Sequence, residues 1–278
     1  YGSVVLYDAL ARSLNLATVN LGLSVGTSKV ADILHRLGAQ RQIVGRPSLM
    51  LGAVALSPLE VAQVYQTIAA SGYRAPLRAI REVVDAQGRP LNRYPLAVEA
   101  VVDPKAAFLT TWALQRVVTN GTAKWLGDQL PEGMTMAGKT GTTDGLRDSW
   151  FAGFSGDKVA VVWVGRDDYQ PMGLAGGAGA LRVWGEFMLA LDNEPLPASP
   201  PDGVVLANAC GRANIPYIGD SASRAGCGGG GGGKPAAKRE EGGAPAEPTA
   251  TPEAAPKPAP EAAPKPKPVR PQSPFLDN

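Results

Sequence analysis

The residues best suited to chemistry lie in one short segment, in which a lysine, three threonines and a glycine follow one another. The segment reads Lys139-Thr140-Gly141-Thr142-Thr143. On a β-strand, successive side chains point to opposite faces, so the lysine and the glycine would share a face with the last threonine. Hydroxyls beside an ammonium group make a good receptor for a carboxylate, because charge-assisted hydrogen bonds are strong. The glycine would let a ligand backbone approach closely, and the strand's N–H groups could stabilise an oxyanion.

Taken alone, the same segment is also compatible with an exposed polar edge strand. Three other motifs that contain glycine or lysine, one at this segment and two elsewhere in the chain, can be rejected. An ATPase phosphorylation site would need an Asp directly before the lysine, where this chain has Gly138. The runs at residues 22–29 and 176–179 lack the spacing of phosphate-binding and dinucleotide-binding loops.

A second pattern lies 126 residues before Lys139, where Ser13 and Asn15 form a Ser-x-Asn motif. The chain has one His and two separated Cys. That set leaves little room for a Ser-His-Asp mechanism and makes a poor zinc site, so we expect no metal.

The elements that must hold these motifs are predicted from periodicity and end signals. Apolar residues at helical spacing predict a helix near residues 4–10, and further helices start at the caps Ser28, Ser57 and Asp103 and end near Gly38, Ala70 and Gly121. A last helix is predicted over residues 180–191. Strands are predicted over residues 134–143, 149–154 and 158–164, after two short extended pieces around residues 80–91. Helices, consecutive antiparallel strands and a closing helix indicate an α+β fold.

Composition limits the function classes. The 278 residues carry 27 Lys and Arg against 25 Asp and Glu, so no basic footprint for nucleic acid is present. No apolar run approaches the length of a membrane-spanning helix. Residues 228–278 are dominated by Gly, Pro, Ala and Lys, a composition that predicts disorder. Trp112, Trp150 and Trp163 lie on apolar faces and are predicted to be core residues.

Several runs closely resemble class A penicillin-binding proteins, which combine Ser-x-x-Lys, Ser-x-Asn and Lys-Thr-Gly motifs around one cleft. The runs are residues 11–15, 18–22, 51–53, 57–62, 116–122, 138–143, 148–154 and 161–167. The 1B type is the most similar, and the resemblance covers residues 1–191. It implies the C-terminal part of a transpeptidase domain of a bifunctional peptidoglycan synthase. The implied fold is the penicillin-binding, serine β-lactamase-like fold, an antiparallel sheet with helices on both faces.

The resemblance also implies roles for the matching residues. Ser13 would belong to the proton relay that serves the leaving group, and Asn15 would hydrogen-bond the substrate amide. Lys139 would hold the Ser13 hydroxyl and lend positive potential to the cleft. The Thr140 and Thr142 hydroxyls would receive the terminal carboxylate of D-Ala-D-Ala or of a β-lactam, beside Gly141 and Thr143. The N–H of Thr142 would be an oxyanion donor.

The family's nucleophile is the serine of a Ser-x-x-Lys motif upstream of Ser-x-Asn, and only twelve residues precede Ser13 here. The one match, Ser155 to Lys158, lies in a turn after the Lys-Thr-Gly segment and is rejected. We therefore expect the chain to be a fragment that is incomplete at its N-terminus and inactive alone. The longer protein would also carry a glycosyltransferase domain and an upstream membrane anchor, the only membrane contact.

The implied setting is the periplasmic side of the bacterial inner membrane. The implied ligands are peptidoglycan stem peptides and β-lactam antibiotics. An outer-membrane lipoprotein activator and cell-division or elongation proteins are possible partners of the longer protein. No cofactor is expected. From the residues alone, Cys210 and Cys227 could equally form a disulfide or be two free thiols. A periplasmic setting favours the disulfide. The expected domains are 1–195 (transpeptidase), 196–227 (an extension with both cysteines) and 228–278 (a disordered tail).

Two other functions stay open. One is a D-Ala-D-Ala carboxypeptidase or a serine β-lactamase, in which water replaces the acceptor amine. The other is a penicillin-interacting sensor or scaffold without catalysis, which need not keep Ser-x-x-Lys upstream.

Overall fold

The computed structural model describes residues 2–209, 211–219 and 221. Its helices are α1 (Leu6–Ala11), α2 (Asn15–Val25), α3 (Thr27–Leu37), α4 (Pro58–Ala69), α5 (Pro104–Asn120), α6 (Lys124–Gly127) and α7 (Ala180–Leu189). Its strands are β1 (Tyr73–Arg74), β2 (Glu82–Val84), β3 (Pro90–Arg93), β4 (Glu99–Ala100), β5 (Ala137–Thr142), β6 (Asp148–Phe154), β7 (Val159–Gly165), β8 (Val204–Ala209) and β9 (Arg212–Ile218). Short 3-10 turns cover Pro47–Leu51 and Asp144–Leu146.

The central sheet is antiparallel, with β6 between β5 and β7. Lys139 pairs with Ala152, and Thr142 pairs with Ser149. The three predicted strands are therefore confirmed, although the first begins at Ala137 and not at residue 134. The chemistry-bearing segment forms one edge of this sheet.

Helices cover both faces of the sheet, as the predicted fold requires. On one face the ring of Phe151 lies 4.9 Å from that of Trp184 in α7. On the other face Phe154, which has the opposite parity along β6, lies 6.4 Å from the ring of Tyr65 in α4. The apolar core lies between these layers, and its largest fully buried side chains are Trp184, Phe151 and Phe154.

Local end signals explain the two best-predicted helices. At the start of α4 the Ser57 hydroxyl accepts the Glu60 N–H at 3.3 Å, and the Glu60 carboxylate accepts the Ser57 N–H at 2.9 Å. This reciprocal capping box satisfies two backbone N–H groups that have no hydrogen-bond partner within the first turn of the helix. At the start of α5 the Asp103 carboxylate accepts the N–H of Lys105 at 2.8 Å.

Two sequence-based expectations are wrong, and one helix was missed. Helix α3 starts at Thr27 after Gly26 and has no side-chain cap, so Ser28 lies inside the helix. Helix α2 was not predicted, because its apolar residues do not form one buried stripe and only Gly22 is buried. Trp163 is 39% exposed and is not a core residue, because it lies on an edge strand and turns its indole N–H to Asp148 at 2.9 Å.

The antiparallel pair β8 and β9 was also not predicted. Arg212 at the start of β9 anchors this hairpin to α1, where it donates to the Tyr7 hydroxyl and pairs with Asp8, both at 2.7 Å. The proposed domain limits 1–195, 196–227 and 228–278 stay predictions. Cys210, Cys227 and the predicted tail lie outside the described residues.

Within the ranges that the structure covers, no helix has both the length and the apolar character needed to cross a bilayer.

The packing predicts a contrast between two tryptophans. Trp184 is fully buried and donates its indole N–H to the Ala160 carbonyl at 2.8 Å. We expect Trp184→Ala to lower the free energy of unfolding by about 3–5 kcal/mol. We expect Trp163→Ala, at an exposed position, to lower it by about 1 kcal/mol or less. Urea denaturation measures both, and equal losses would contradict the assigned core.

Candidate active site

The two motifs meet at a hydrogen bond between Lys139 and Ser13. The Lys139 ammonium group on β5 donates to the Ser13 hydroxyl at 3.1 Å and to the Thr140 carbonyl at 3.0 Å. Ser13 lies between α1 and α2 in a left-handed backbone conformation, with φ of 55°. Few residues other than glycine adopt this conformation, and here it forms the tight turn between the two helices. Asn15 is exposed at the first residue of α2.

A close backbone contact between two connections holds Ser13 beside the sheet. After α5, the N–H of Thr122 donates to the Ala11 carbonyl at the end of α1, at 3.0 Å. A Cβ atom on Gly121 would lie only 2.2 Å from that same carbonyl oxygen. Glycine at this position therefore lets α1 approach α5 closely enough for Ser13 to reach Lys139.

The first two threonines of the segment each have a partner from another part of the chain. The Thr140 hydroxyl lies 2.7 Å from the Thr122 hydroxyl, and either oxygen can be the donor. The Thr142 hydroxyl accepts the Gly176 N–H at 2.9 Å, which leaves its own proton free for donation. Both threonines are at least partly exposed to solvent, so a ligand can reach them.

The third threonine is engaged in the turn that follows the strand. The Thr143 hydroxyl donates to the Asp148 carboxylate and accepts the Asp148 N–H, both at 2.9 Å. Its hydroxyl is thus satisfied by a residue that also accepts the Trp163 indole N–H. In this structure Thr143 fixes the turn between β5 and β6, and its predicted contact with a substrate stays a prediction.

Glycine at position 141 has an internal structural reason besides the predicted ligand approach. A Cβ atom there would lie 3.1 Å from Cβ of Trp150. From a distant loop, Gly176 packs so closely that its own Cβ atom would lie 2.5 Å from the Gly141 carbonyl oxygen. The loop that binds the Thr142 hydroxyl therefore needs glycine at position 176.

The backbone of β5 presents polar groups at its unpaired edge. The N–H of Thr143 donates to the Asp148 carbonyl across the ladder, at 3.3 Å. Because alternate residues of an antiparallel strand turn to the partner strand, Thr140 and Thr142 direct their N–H and C=O groups away from β6. Among the described residues no strand pairs with this edge. The Thr142 N–H therefore points away from β6, and its role as an oxyanion donor stays a prediction.

Burial lowers the pKa of Lys139, the lysine of strand β5. Partial removal from water disfavours the ammonium form and lowers the pKa of Lys139 from its ordinary 10.5 to about 8. Near neutral pH the ammonium form still predominates and donates to Ser13. Lys139 therefore places a positive charge at this edge near neutral pH, while its pKa lies closer to that range than that of a free lysine.

The rejection of Ser155 as a nucleophile agrees with its surroundings. Its side chain is 2% exposed in the turn between β6 and β7. Its hydroxyl donates to Asp157 at 3.0 Å and accepts the Lys158 N–H at 3.1 Å, which are ordinary turn contacts.

Sequence reasoning assigned no role to three residues that the structure brings to the site, namely Thr122, Gly176 and Asp148. Thr122 was noted only within a run that resembles the family, and Gly176 only as part of a failed dinucleotide pattern. Their contacts join segments distant in the sequence. A hydroxyl directly after a helix-ending glycine was the one local signal that could have indicated Thr122.

Comparisons with known proteins show the family of the chain. The family model described as the penicillin binding protein transpeptidase domain matches residues 1–182. Penicillin-binding protein 1B of Vibrio cholerae is 45% identical over 204 residues, which are 73% of this chain and 26% of that protein. Penicillin-binding protein 1B of Escherichia coli is 43% identical over 204 residues, again 73% of this chain and 24% of that protein.

A solved structure, that of penicillin-binding protein 1A from Haemophilus influenzae, matches with a TM-score of 0.67 at 25% identity. The match covers 72% of this chain and 36% of that one. The chain therefore spans no more than 26% of the length of the two curated relatives above.

The contact at Gly121 leads to a stability prediction. We expect Gly121→Ala to push α1 away from α5 and to lower the free energy of unfolding by about 1–3 kcal/mol, because the clashing atoms are backbone. Gly177→Ala is the matched control, since its nearest neighbour would be the Thr122 carbonyl oxygen at 3.4 Å, an ordinary contact. Thermal unfolding compares the two, and an unchanged melting temperature for Gly121→Ala would contradict the close approach.

The Lys139 environment leads to a titration prediction. With its pKa lowered to about 8, Lys139 is an ammonium group below that pH and becomes neutral as the pH rises through it. NMR of carbon-13-labelled lysine should show one resonance with a midpoint near pH 8, and Lys139→Arg should remove that resonance. A midpoint near the ordinary value of 10.5 would show that Lys139 is not desolvated.

Proposed function

This chain belongs to the penicillin-binding protein transpeptidase family, and from that membership we propose that it forms part of a D,D-transpeptidase site of a peptidoglycan synthase. The observation that carries the proposal is the 3.1 Å contact between Lys139 and Ser13, which joins two of the three motifs of the family. The matching family model is that of a transpeptidase domain, so the carboxypeptidase, β-lactamase and sensor alternatives are not favoured.

The proposed reaction is acyl transfer between stem peptides. A serine oxygen attacks the carbonyl carbon between the two terminal D-Ala residues, the C–N bond breaks, and D-Ala leaves with its amine protonated. The amine of a second stem peptide then attacks the acyl-enzyme ester and releases the serine. With a β-lactam the broken C–N bond lies in a ring, so the product stays attached as a stable ester.

The chain's own residues supply binding and proton transfer in this scheme. The hydroxyls of Thr140 and Thr142 donate to the terminal carboxylate, and the N–H of Thr142 donates to the oxyanion. Ser13, held by Lys139, passes a proton to the leaving amine. Asn15 binds the substrate amide from the start of α2. These roles need no histidine and no cofactor.

The nucleophile belongs, in this proposal, to a Ser-x-x-Lys motif of the longer protein. Supporting this, α2 exposes single apolar side chains next to the Ser-x-Asn turn, where Leu16 is 83% and Leu23 is 51% exposed. These residues are seven apart and so lie on the same side of the helix. We propose that the part of the domain carrying the nucleophile covers this face.

For the longer protein we propose a peptidoglycan glycosyltransferase domain, a membrane anchor and a location at the periplasmic side of the inner membrane. Stem peptides and β-lactams are its proposed ligands. A lipoprotein activator and partners in division or elongation stay predictions.

The proposal predicts covalent capture by penicillin. Intact mass after incubation with benzylpenicillin should show a single adduct on the full-length protein, mapped to a serine outside this sequence, and no adduct on the present chain alone. We expect Lys139→Ala to slow acylation by about two orders of magnitude, since it removes the charge that holds Ser13. Lys124→Ala is the control, because Lys124 is exposed and pairs with Asp128.

A folded full-length protein that forms no adduct would overturn the proposed function. Equal slowing by both lysine substitutions would remove the role assigned to Lys139.

A further inference from the structure

The site contains a hydroxyl that the proposed mechanism does not use, that of Thr122. Its oxygen lies 2.7 Å from the oxygen of Thr140, the usual length of a good O–H···O hydrogen bond. Thr122 belongs to the connection between α5 and α6, 18 residues before its partner. A contact this short between a strand and a separate connection requires that both backbones be held in place.

The Thr122 backbone is fixed on both sides. Its N–H donates to the Ala11 carbonyl at 3.0 Å, and the N–H of the following residue, Ala123, donates to the Val117 carbonyl at 3.1 Å. Ala123 is fully buried. Threonine has a stiff side chain because it is branched at Cβ, so a fixed backbone also restricts its hydroxyl.

The direction of the shared hydrogen bond follows from the ligand. A carboxylate only accepts hydrogen bonds, so Thr140 must use its single proton to bind it. The bond between the two threonines then has Thr122 as the donor and Thr140 as the acceptor. The Lys139 ammonium group also donates to the Thr140 hydroxyl oxygen, at the longer distance of 3.5 Å. With its oxygen accepting from Thr122, Thr140 keeps its own proton for the ligand.

Thr142 shows the same arrangement with a different donor. Its hydroxyl accepts the Gly176 N–H at 2.9 Å, which also leaves its proton for the ligand. Each of the two carboxylate-binding hydroxyls is thus oriented by a donor from another segment. One donor is the backbone amide of Gly176, and the other is the side chain of Thr122.

We propose that Thr122 is a positioning residue that donates to Thr140 and so aims the Thr140 hydroxyl at the carboxylate of the acyl donor. This inference rests on the proposed function, because it assumes that a carboxylate occupies this edge of β5. Donation from Thr122 also polarises the Thr140 hydroxyl and strengthens its bond to the ligand. Thr122 therefore favours ligands that carry a negative charge at this position.

The test compares acylation of the full-length protein by benzylpenicillin and by its methyl ester, in which the carboxylate charge is removed. We expect Thr122→Val to lower the second-order acylation rate constant about tenfold for benzylpenicillin and less than about twofold for the ester. Thr122→Ser keeps the donor and should stay within about threefold of the parent for both ligands. Thr110→Val is the control on α5, where the Thr110 hydroxyl donates to Ala106 of the same helix.

The outcomes separate this inference from the proposed function. If the parent protein is not acylated at all, the proposed function fails. If the parent is acylated and Thr122→Val reacts like the parent, or loses both ligands equally, the positioning role is wrong. Should Thr122→Val not fold, Thr122→Ala replaces it, and a Thr122→Ala rate equal to that of Thr122→Ser would overturn the inference.

Discussion

The hydrogen bond between the Lys139 ammonium group and the Ser13 hydroxyl sets the main requirement on this fold. It joins residues 126 positions apart in the chain at 3.1 Å, so a strand and a turn between helices must be held in register. The turn is held in place because the Ala11 carbonyl accepts the Thr122 N–H. Gly121, which has no Cβ atom, allows the two backbones to come into contact there. The strand is fixed by its pairing with the central strand β6. The site is therefore a property of the packing of α1, α5 and β5.

Much of the fold could be predicted because its signals are local. The capping box at Ser57, the Asp103 cap and the consecutive β-rich runs each specify an element within a few residues. Helix α2 and the hairpin of β8 and β9 could not be predicted in this way. The apolar residues of α2 are spread around the helix, and β8 shows no strict alternation of buried and exposed residues.

The same distinction applies to the site. Lys139, Thr140 and Ser13 are found from the sequence because they belong to short motifs with characteristic spacing. Thr122 and Gly176 act through contacts with residues 18 and 34 positions away, and no local pattern encodes such a contact. The structure therefore adds the residues that orient the motif hydroxyls, while the motif itself indicates the chemistry.

The open edge of β5 also bears on self-association. An unpaired strand edge is a template on which a second copy of the chain could add a strand and begin to aggregate. Here the edge is six residues long, carries a partly buried lysine, and includes two glycines that disfavour extended pairing. Occupation by a ligand would cover the same groups. The open edge of β5 is thus short and carries a charge, which limits unwanted pairing between molecules.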